Sequence, residues 1–372
     1  MTETRYDAHN QDIREFTDAI RPTAKVVRNV KDEWILLGHE EVVAAATDPE
    51  TFSSRVSAHL QLPNGLDGEE HRRFRALIDR YLSHDRMVEL EPLVAEVAEQ
   101  TVAELPSGEP VDAVRGLGAT FAVRAMTRWL GWPEKLHPTL VQWVIDNQHA
   151  SASGDREQTA KVAADFDEII ASVIAPRRAD ASIEDVTAEL VRDESLGRPL
   201  GDDELVSILR NWTGGDLGSM ALCIGVVLEG LVRMPQLADR IRSGSDAEVE
   251  AIIAELLRID NPFVSNRRVT TCPVNVAGVD IPEGARVRLN WTSANRDEAT
   301  FGQDFDEVAH AKDNLVFGVG PHYCPGEELS LLELRVLFRA LLRRFRTIEL
   351  AGAPKRAVTP VGGYDTLPVI FR

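Results

Sequence analysis

The chain has 372 residues, 44% of them hydrophobic, and a formal net charge of −19. A balance this acidic excludes a broad nucleic-acid surface, which needs a dominant positive footprint. Three widely spaced cysteines (Cys223, Cys272 and Cys324) exclude a disulfide framework and fit a reducing cytoplasm.

No proline-, serine- or glycine-rich tract divides the sequence and no repeat is visible, so one domain over residues 1–372 is expected. The first residues, Met1-Thr2-Glu3-Thr4-Arg5-Tyr6-Asp7, hold no apolar signal core. The longest apolar run, 217–228, is too short for a bilayer and is interrupted by Gly218 and Ser219, so no membrane is expected.

In chain order, Val26-Val27 and Trp34-Ile35-Leu36-Leu37 bracket a polar turn and predict strands. Helical periodicity follows in Leu77-Ile78, Tyr81-Leu82, Leu90 and Val94, and again in Phe166, Ile169-Ile170 and Val173-Ile174. Just before the first of these, His71 and Arg75 stand four apart on one helix face. A long helix from about Asp202 to Arg233 carries Gly214, Gly215 and Gly218 in its interior. Each costs on the order of 1 kcal/mol relative to alanine, which predicts either close approach of a flat partner or a local widening. Glu255 and Arg258, three apart, predict an ion pair, although Glu70–Arg73, Glu189–Arg192 and Glu283–Arg286 repeat the spacing. Val274-Asn275-Val276, Asp280-Ile281 and Arg286-Val287-Arg288-Leu289 alternate around turn residues and predict a small sheet. A last hairpin-like piece is read at 361–370. The fold expected is mainly α with small peripheral β-sheets.

The densest segment is Phe317-Gly318-Val319-Gly320-Pro321-His322-Tyr323-Cys324-Pro325-Gly326. A strand-like run, Asn314 to Phe317, feeds a glycine-rich loop that delivers a thiol to a helix beginning near Glu327. Gly318 and Gly320 permit turns that a Cβ forbids. The helix start favours a thiolate at Cys324. Gly326 lets the chain approach something flat and bulky. A thiolate beside an aromatic ring (Phe317) and a cationic or donor side chain (His322) suits the axial ligand of haem iron. The following helix packs by a stripe of Leu329, Leu332, Val336, Leu337, Leu341 and Phe345, with Glu333, Arg335, Arg339 and Arg343 assigned to other faces. Arg335, Arg339, Arg343 and Arg344, with Arg72 and Arg73, are read as a local basic patch able to dock an acidic electron carrier, a solvated helix face being the simpler reading of each.

This loop resembles the cysteine-ligand segment of the cytochrome P-450 family, Phe-Gly-x-Gly-x-His/Arg-x-Cys-x-Gly, with all six specified positions filled. The resemblance covers essentially the whole chain and implies the family's fold, with haem b held by Cys324. It implies that Glu255–Arg258 is the family's Glu-x-x-Arg pair, bracing the core beside the haem. It also implies propionate partners at His71, Arg75, Arg268 and His322, with Arg267 the nearest rival to Arg268. The family pattern Ala/Gly-Gly-x-Asp/Glu-Thr, aligned on Gly214-Gly215, places Leu217 at the acid and Gly218 at the threonine, so the usual proton-handling pair is missing. Asp216 and Ser219 lie one position to either side and are the candidate replacements, brought into use by a local bulge. Water or a substrate group as relay, and peroxide as oxidant, are the other accounts.

The activity implied is monooxygenation of a small or medium organic molecule, with electrons from separate partners, ferredoxin and an NAD(P)H reductase. The alternatives are a peroxygenase and a non-catalytic haem sensor. The pocket is expected between 52 and 68, the glycine-rich helix, Phe263-Val264-Ser265-Asn266 and Gly363-Tyr364. Leu62, Phe263 and Val264 are its apolar lining, and Asn266 and Tyr364 its polar groups. No arginine falls within 263–266, which argues against an anionic substrate.

Overall fold

The computed structural model describes residues 5–7 and 11–372; residues 1–4, part of the terminus read above for a signal, lie outside them. Helices form the bulk of the protein, and the strands gather at its edges. One six-stranded sheet runs in the order Arg5–Tyr6, Val26–Asn29, Trp34–Leu36, Arg286–Asn290, Ser265–Thr270 and Phe52–Ser53. Val274–Val276 and Val279–Ile281 form a hairpin whose turn uses Gly278 at φ +81°.

The carboxyl end departs from the expected hairpin. Tyr364–Thr366 pairs with Lys355–Arg356, whereas Pro368–Phe371 joins Ile348–Leu350 and Pro110–Asp112 in a different sheet. The expected helix near Leu77 is two helices, Gly68–Asp79 and His84–Ala103.

The helix Asp202–Arg233 crosses the centre of the main core and has the bounds that its sequence predicts. It is long and apolar enough to cross a membrane, which the run 217–228 alone did not suggest. Yet 67% of its apolar window is buried inside the protein, as in a core helix. It is regular α-helix throughout, without the widening its glycines predict. A widened helical turn lies instead at Ala113–Gly118, packed against it. Beneath it runs the helix Glu327–Arg344, which packs on His84–Ala103 and Asp246–Ile259. The long helix is the roof of a cavity, and the segment entering Glu327–Arg344 is its floor.

Candidate active site

Cys324 reaches the cavity from a loop fixed mainly by its own backbone. Its N–H donates to the Phe317 carbonyl at 2.8 Å, Gly318 N–H to Leu315, and Tyr323 N–H to Gly320. Gly318 and Gly320 take φ values of +74° and +79°. At Gly320 a Cβ would lie 2.8 Å from the Ala46 carbonyl oxygen, so both conformation and space demand glycine. The segment 314–317 that feeds the loop is a turn rather than the expected strand: its side-chain and backbone groups bond to the core instead of to a ladder. Asn314 Nδ2 donates to the Ala254 carbonyl and Leu315 N–H to Asn295 Oδ1.

That support leads directly to Glu255 and Arg258, on Asp246–Ile259. The two carboxylate oxygens of Glu255 accept from Arg258 Nε and Nη2 at 2.7 Å each, and both residues are buried. Arg258 Nη1 donates to the Asn295 carbonyl, and His310 Nδ1 lies 2.7 Å from Glu255 Oε1. The pair therefore anchors Asn295, which holds Leu315 at the entry to the cysteine loop, and also ties down the 306–310 segment.

Residues expected to face an anion converge at one edge of the cavity. The rings of His71 and His322 lie 4.2 Å apart, and His71 Nε2 is buried with no partner among the described residues. Arg268 alternates inward on its strand, where it is 7% exposed, while Arg267 points outward. Arg268 donates to the Arg267 carbonyl, and burial lowers its pKa, only Asp67 opposing from a distance. His322 Nε2 meets Ser54 Oγ at 2.9 Å. Burial, then the charges of His71 and Arg268, push its pKa down to about 3, which leaves the donor and not the cation of the two roles expected for it. Arg75 differs from expectation: Nη1 donates to the Pro321 and Tyr323 carbonyls and Nε to Asp79, so it braces the cysteine loop.

A buried guanidinium without a hydrogen-bonded carboxylate and an orphaned imidazole nitrogen fit the carboxylates of a haem. Cys324, a free cysteine lining the same cavity, fits its iron. Phe317 and Gly326 line the same cavity, where glycine at 326 leaves one side of the sulfur uncovered. The helix start does not by itself make Cys324 a thiolate. Burial outweighs the Gly326 N–H and pushes the thiol up to about 11, so ionisation requires a cation at the sulfur.

The roof presents Asn211, Trp212, Gly215, Asp216 and Ser219, one helical face. The family-aligned residues do not fill this role: Leu217 is buried in the core, and Gly218 has no side chain. No bulge is needed to expose Asp216 and Ser219. Asp216 Oδ2 is fully covered and has no partner among the described residues, and burial pushes its pKa up to about 7. The Ser219 hydroxyl donates to the Gly215 and Asp216 carbonyls of its own helix. No protein atom lies within 4 Å of where a Cβ at Gly215 or Gly218 would sit.

The cavity wall includes Ile78 and Leu82, which periodicity marks only as core, Trp212 from the glycine-rich helix, and Met126 and Trp129, which no sequence pattern singled out. Phe263 and Asn266 line it as expected, the latter accepting from Trp291 Nε1 at 2.6 Å. Leu62, Val264 and Tyr364 do not line it: the first two are packed in the core, and the Arg356 guanidinium covers the Tyr364 ring. Pro63 and Asn64 take the place of Leu62. Their loop is stitched to the roof. Leu62 N–H donates to Ser207 Oγ, Ser207 Oγ to the Leu60 carbonyl, Asn211 Nδ2 to the Leu62 carbonyl and Asn64 Nδ2 to Asn211 Oδ1.

The arginines read as a docking patch all have partners within the chain, although Arg72, Arg73, Arg343 and Arg344 stay exposed. Arg335 is buried among Glu91, Asp246 and Glu250; Arg339 pairs with Asp246 and Arg343 with Glu99; Arg344 donates to the Val102 carbonyl. Arg72 pairs with Glu69, and Arg73 donates to the Leu196 carbonyl.

The Cytochrome P-450 family profile matches residues 249–360, which contain Glu255, Arg258, Arg268 and Cys324. Cyclomarin C epoxidase CymV of Salinispora arenicola is 29% identical over 91% of this chain and 90% of its own. A methyl-branched lipid omega-hydroxylase of Mycobacterium tuberculosis is 27% identical over 91% and 84%. The open structure of cytochrome P-450 EryK from S. erythraea superposes with a TM-score of 0.86, at 25% identity over 96% of this chain and 95% of that one.

Proposed function

Because this chain belongs to the cytochrome P-450 family, and is a monooxygenase-type oxidoreductase, we propose that it inserts one oxygen atom of O2 into a small or medium, largely apolar organic molecule. Hydroxylation, epoxidation and oxidative dealkylation are the outcomes considered. The observation that carries the proposal is the facing of Cys324 and Asp216 across one apolar-walled cavity.

In this reading Cys324 Sγ would hold the haem iron, with Phe317 and Gly326 beside the sulfur. His71, Arg268 and His322 would meet the propionates, and Arg75 would act through the loop it braces. When bound, thiolate-ligated haem supplies the electron density that favours O–O cleavage. Asp216, neutral up to about pH 7, holds a proton inside the cavity. Ser219, its hydroxyl hydrogen engaged by its own helix, offers lone pairs to a water that carries that proton onward. Trp129, Trp212, Met126, Ile78 and Leu82 exclude bulk water. Asn266 and Phe263 orient the substrate at the mouth. Electrons come from separate partners, a ferredoxin and an NAD(P)H reductase, and the protein works in the cytoplasm. Two relatives act, by name, on cyclomarin C and on methyl-branched lipids, and a wall this apolar suits bulky molecules of that kind.

The test is the carbon monoxide spectrum of the reduced protein. A thiolate-shifted Soret band in the native protein, lost in Cys324→Ser, is expected; its absence from native protein overturns the assignment. Spin-state titration of the ferric protein with terpenoid, fatty-acid, aromatic and peptide-like compounds then identifies the substrate class.

A peroxide-driven reaction has one observation in its favour: the side chains aligned with the family's acid and alcohol, Leu217 and Gly218, carry no exchangeable proton. Product formed as fast with hydrogen peroxide as with ferredoxin would select it.

A further inference from the structure

Three oxidisable rings lead away from the cavity. Trp129 and Trp212 line it and lie 5.3 Å apart between ring centres, and the Trp212 ring lies 5.4 Å from that of Tyr81. The other paired tryptophan and tyrosine rings, Trp143 and Tyr6, meet phenylalanines, which do not give up electrons readily. Tyr81 is buried, and it also forms part of the wall of a second cavity, of about 890 Å³, which is large enough for a small molecule. The exposed Arg80 and Glu194 stand in that wall, so this cavity meets solvent.

The two ends of the series differ in what surrounds their protons. Trp212 Nε1 is buried with no partner among the described residues. An indole that loses an electron becomes acidic, but this one has no acceptor for its proton, so the positive charge is not trapped there. Tyr81 Oη instead donates to Asp193 Oδ2 at 2.9 Å. Against its burial, hydrogen bonds from Ser195 and Tyr81 and the Arg80 charge hold the Asp193 carboxyl below the usual range. Burial, then the bond to Asp193, raise the phenol, so Tyr81 is neutral at rest and its partner is an anion. A phenol that loses an electron is a far stronger acid than a carboxylic acid, and Asp193 is placed to take its proton.

We propose that Trp129, Trp212 and Tyr81 form an exit for oxidising equivalents, by which a haem oxidised without substrate draws an electron from Tyr81 and the cavity wall is spared. The inference rests on Cys324 holding haem. The electron leaves the Tyr81 ring and reaches the haem through Trp212, with Trp129 sharing the charge in transit. The Tyr81 O–H bond breaks as an O–H bond forms on Asp193 Oδ2, which leaves a neutral tyrosyl radical. A one-electron donor in the second cavity then reduces that radical, and Asp193 returns the proton to Oη. Five acids and three arginines line this cavity, so the donor it favours is a neutral one of the phenol or hydroquinone class.

Electron paramagnetic resonance of the ferric haem-loaded protein, frozen after mixing with a peracid in the absence of substrate, tests the route. A tyrosyl signal that Tyr81→Phe removes and Tyr323→Phe leaves is expected, although Tyr323 adjoins the cysteine. Asp193→Asn keeps the phenol but removes its base, and is expected to replace the tyrosyl signal by a tryptophanyl one. Tyr81→Phe is also expected to lose its haem absorbance after severalfold fewer equivalents of peracid. Relative to their rates with free tyrosyl radical, neutral hydroquinone is expected to quench the signal faster than ferrocyanide. No protein radical, a radical that Tyr81→Phe leaves in place, or a tyrosyl signal unchanged in Asp193→Asn overturns the proposal. Faster quenching by ferrocyanide overturns the second cavity as the point of exit. A native protein without the thiolate-shifted carbon monoxide band refutes the haem assignment itself, whereas one with that band and no Tyr81 radical refutes the route alone.

Discussion

The floor and the roof of the cavity are built on opposite terms. The floor is pinned: its backbone bonds to itself, Arg75 ties two of its carbonyls, and Glu255 and Arg258 hold Asn295, which fixes its entry. The roof leaves polar groups unspent, with Asp216 Oδ2 and Trp212 Nε1 buried and unpartnered among the described residues, and two glycines where a Cβ would have no protein atom within 4 Å. A cofactor ligand must stay where it is, and over-determination serves that. A group that stores and releases protons needs a site that does not fix its charge, and missing partners serve that.

The contrast is broken most severely at Glu255. Glu255→Ala orphans a buried guanidinium and releases His310, at a cost of about 3–5 kcal/mol, so the isolated protein is expected to contain little or no haem. Fully haem-loaded, soluble mutant protein would contradict the bracing role. On the roof, the folded pKa of Asp216, about 7, stands above its unfolded value. Between roughly pH 4 and pH 7 the folded haem-free protein therefore binds more protons than the unfolded chain, and stability falls as pH rises, by up to about 1.4 kcal/mol per unit. Melting curves of Asp216→Asn across that window should lack this component of the slope. Two glycine substitutions sharpen the comparison. Gly320→Ala, at positive φ and against the Ala46 carbonyl, is expected to cost about 1–3 kcal/mol and lower haem occupancy. Gly218→Ala, in a helix interior with room for a methyl group, is expected to stabilise by about 1 kcal/mol. Denaturant titration reads both, and equal signs would dissolve the distinction.

Much of this was legible in the residues. The cysteine loop declares itself because several of its positions admit few side chains, and the bounds of Asp202–Arg233 follow from an uninterrupted pattern between polar ends. Glu333 was misread because charge on a helix suggests solvent, although its offset from Leu329 already put it on a covered face. The arginines of the same helix look like a patch for a partner, but the acids that take them, Glu91, Glu99, Asp246 and Glu250, come from helices whose proximity no local pattern reports. Residues 314–317 read as a strand because β-branched and aromatic types are enriched there; side chains from elsewhere satisfy the backbone instead. Leu62 and Tyr364 show the same limit, since an apolar or aromatic residue near a pocket packs into core as readily as it faces the void.

The stitch between the 60–64 loop and the roof has a kinetic meaning. Every molecule that passes beneath that loop must unmake hydrogen bonds held by Ser207 and Asn211, two successive turns of the helix that also carries Asp216. A guest with oxygen or nitrogen at its leading edge can replace those bonds as it breaks them, whereas a pure hydrocarbon leaves them empty. Entry by this route would select by what a molecule offers the loop, separately from how well it fits the chamber, and would place the slow step for a hydrocarbon there.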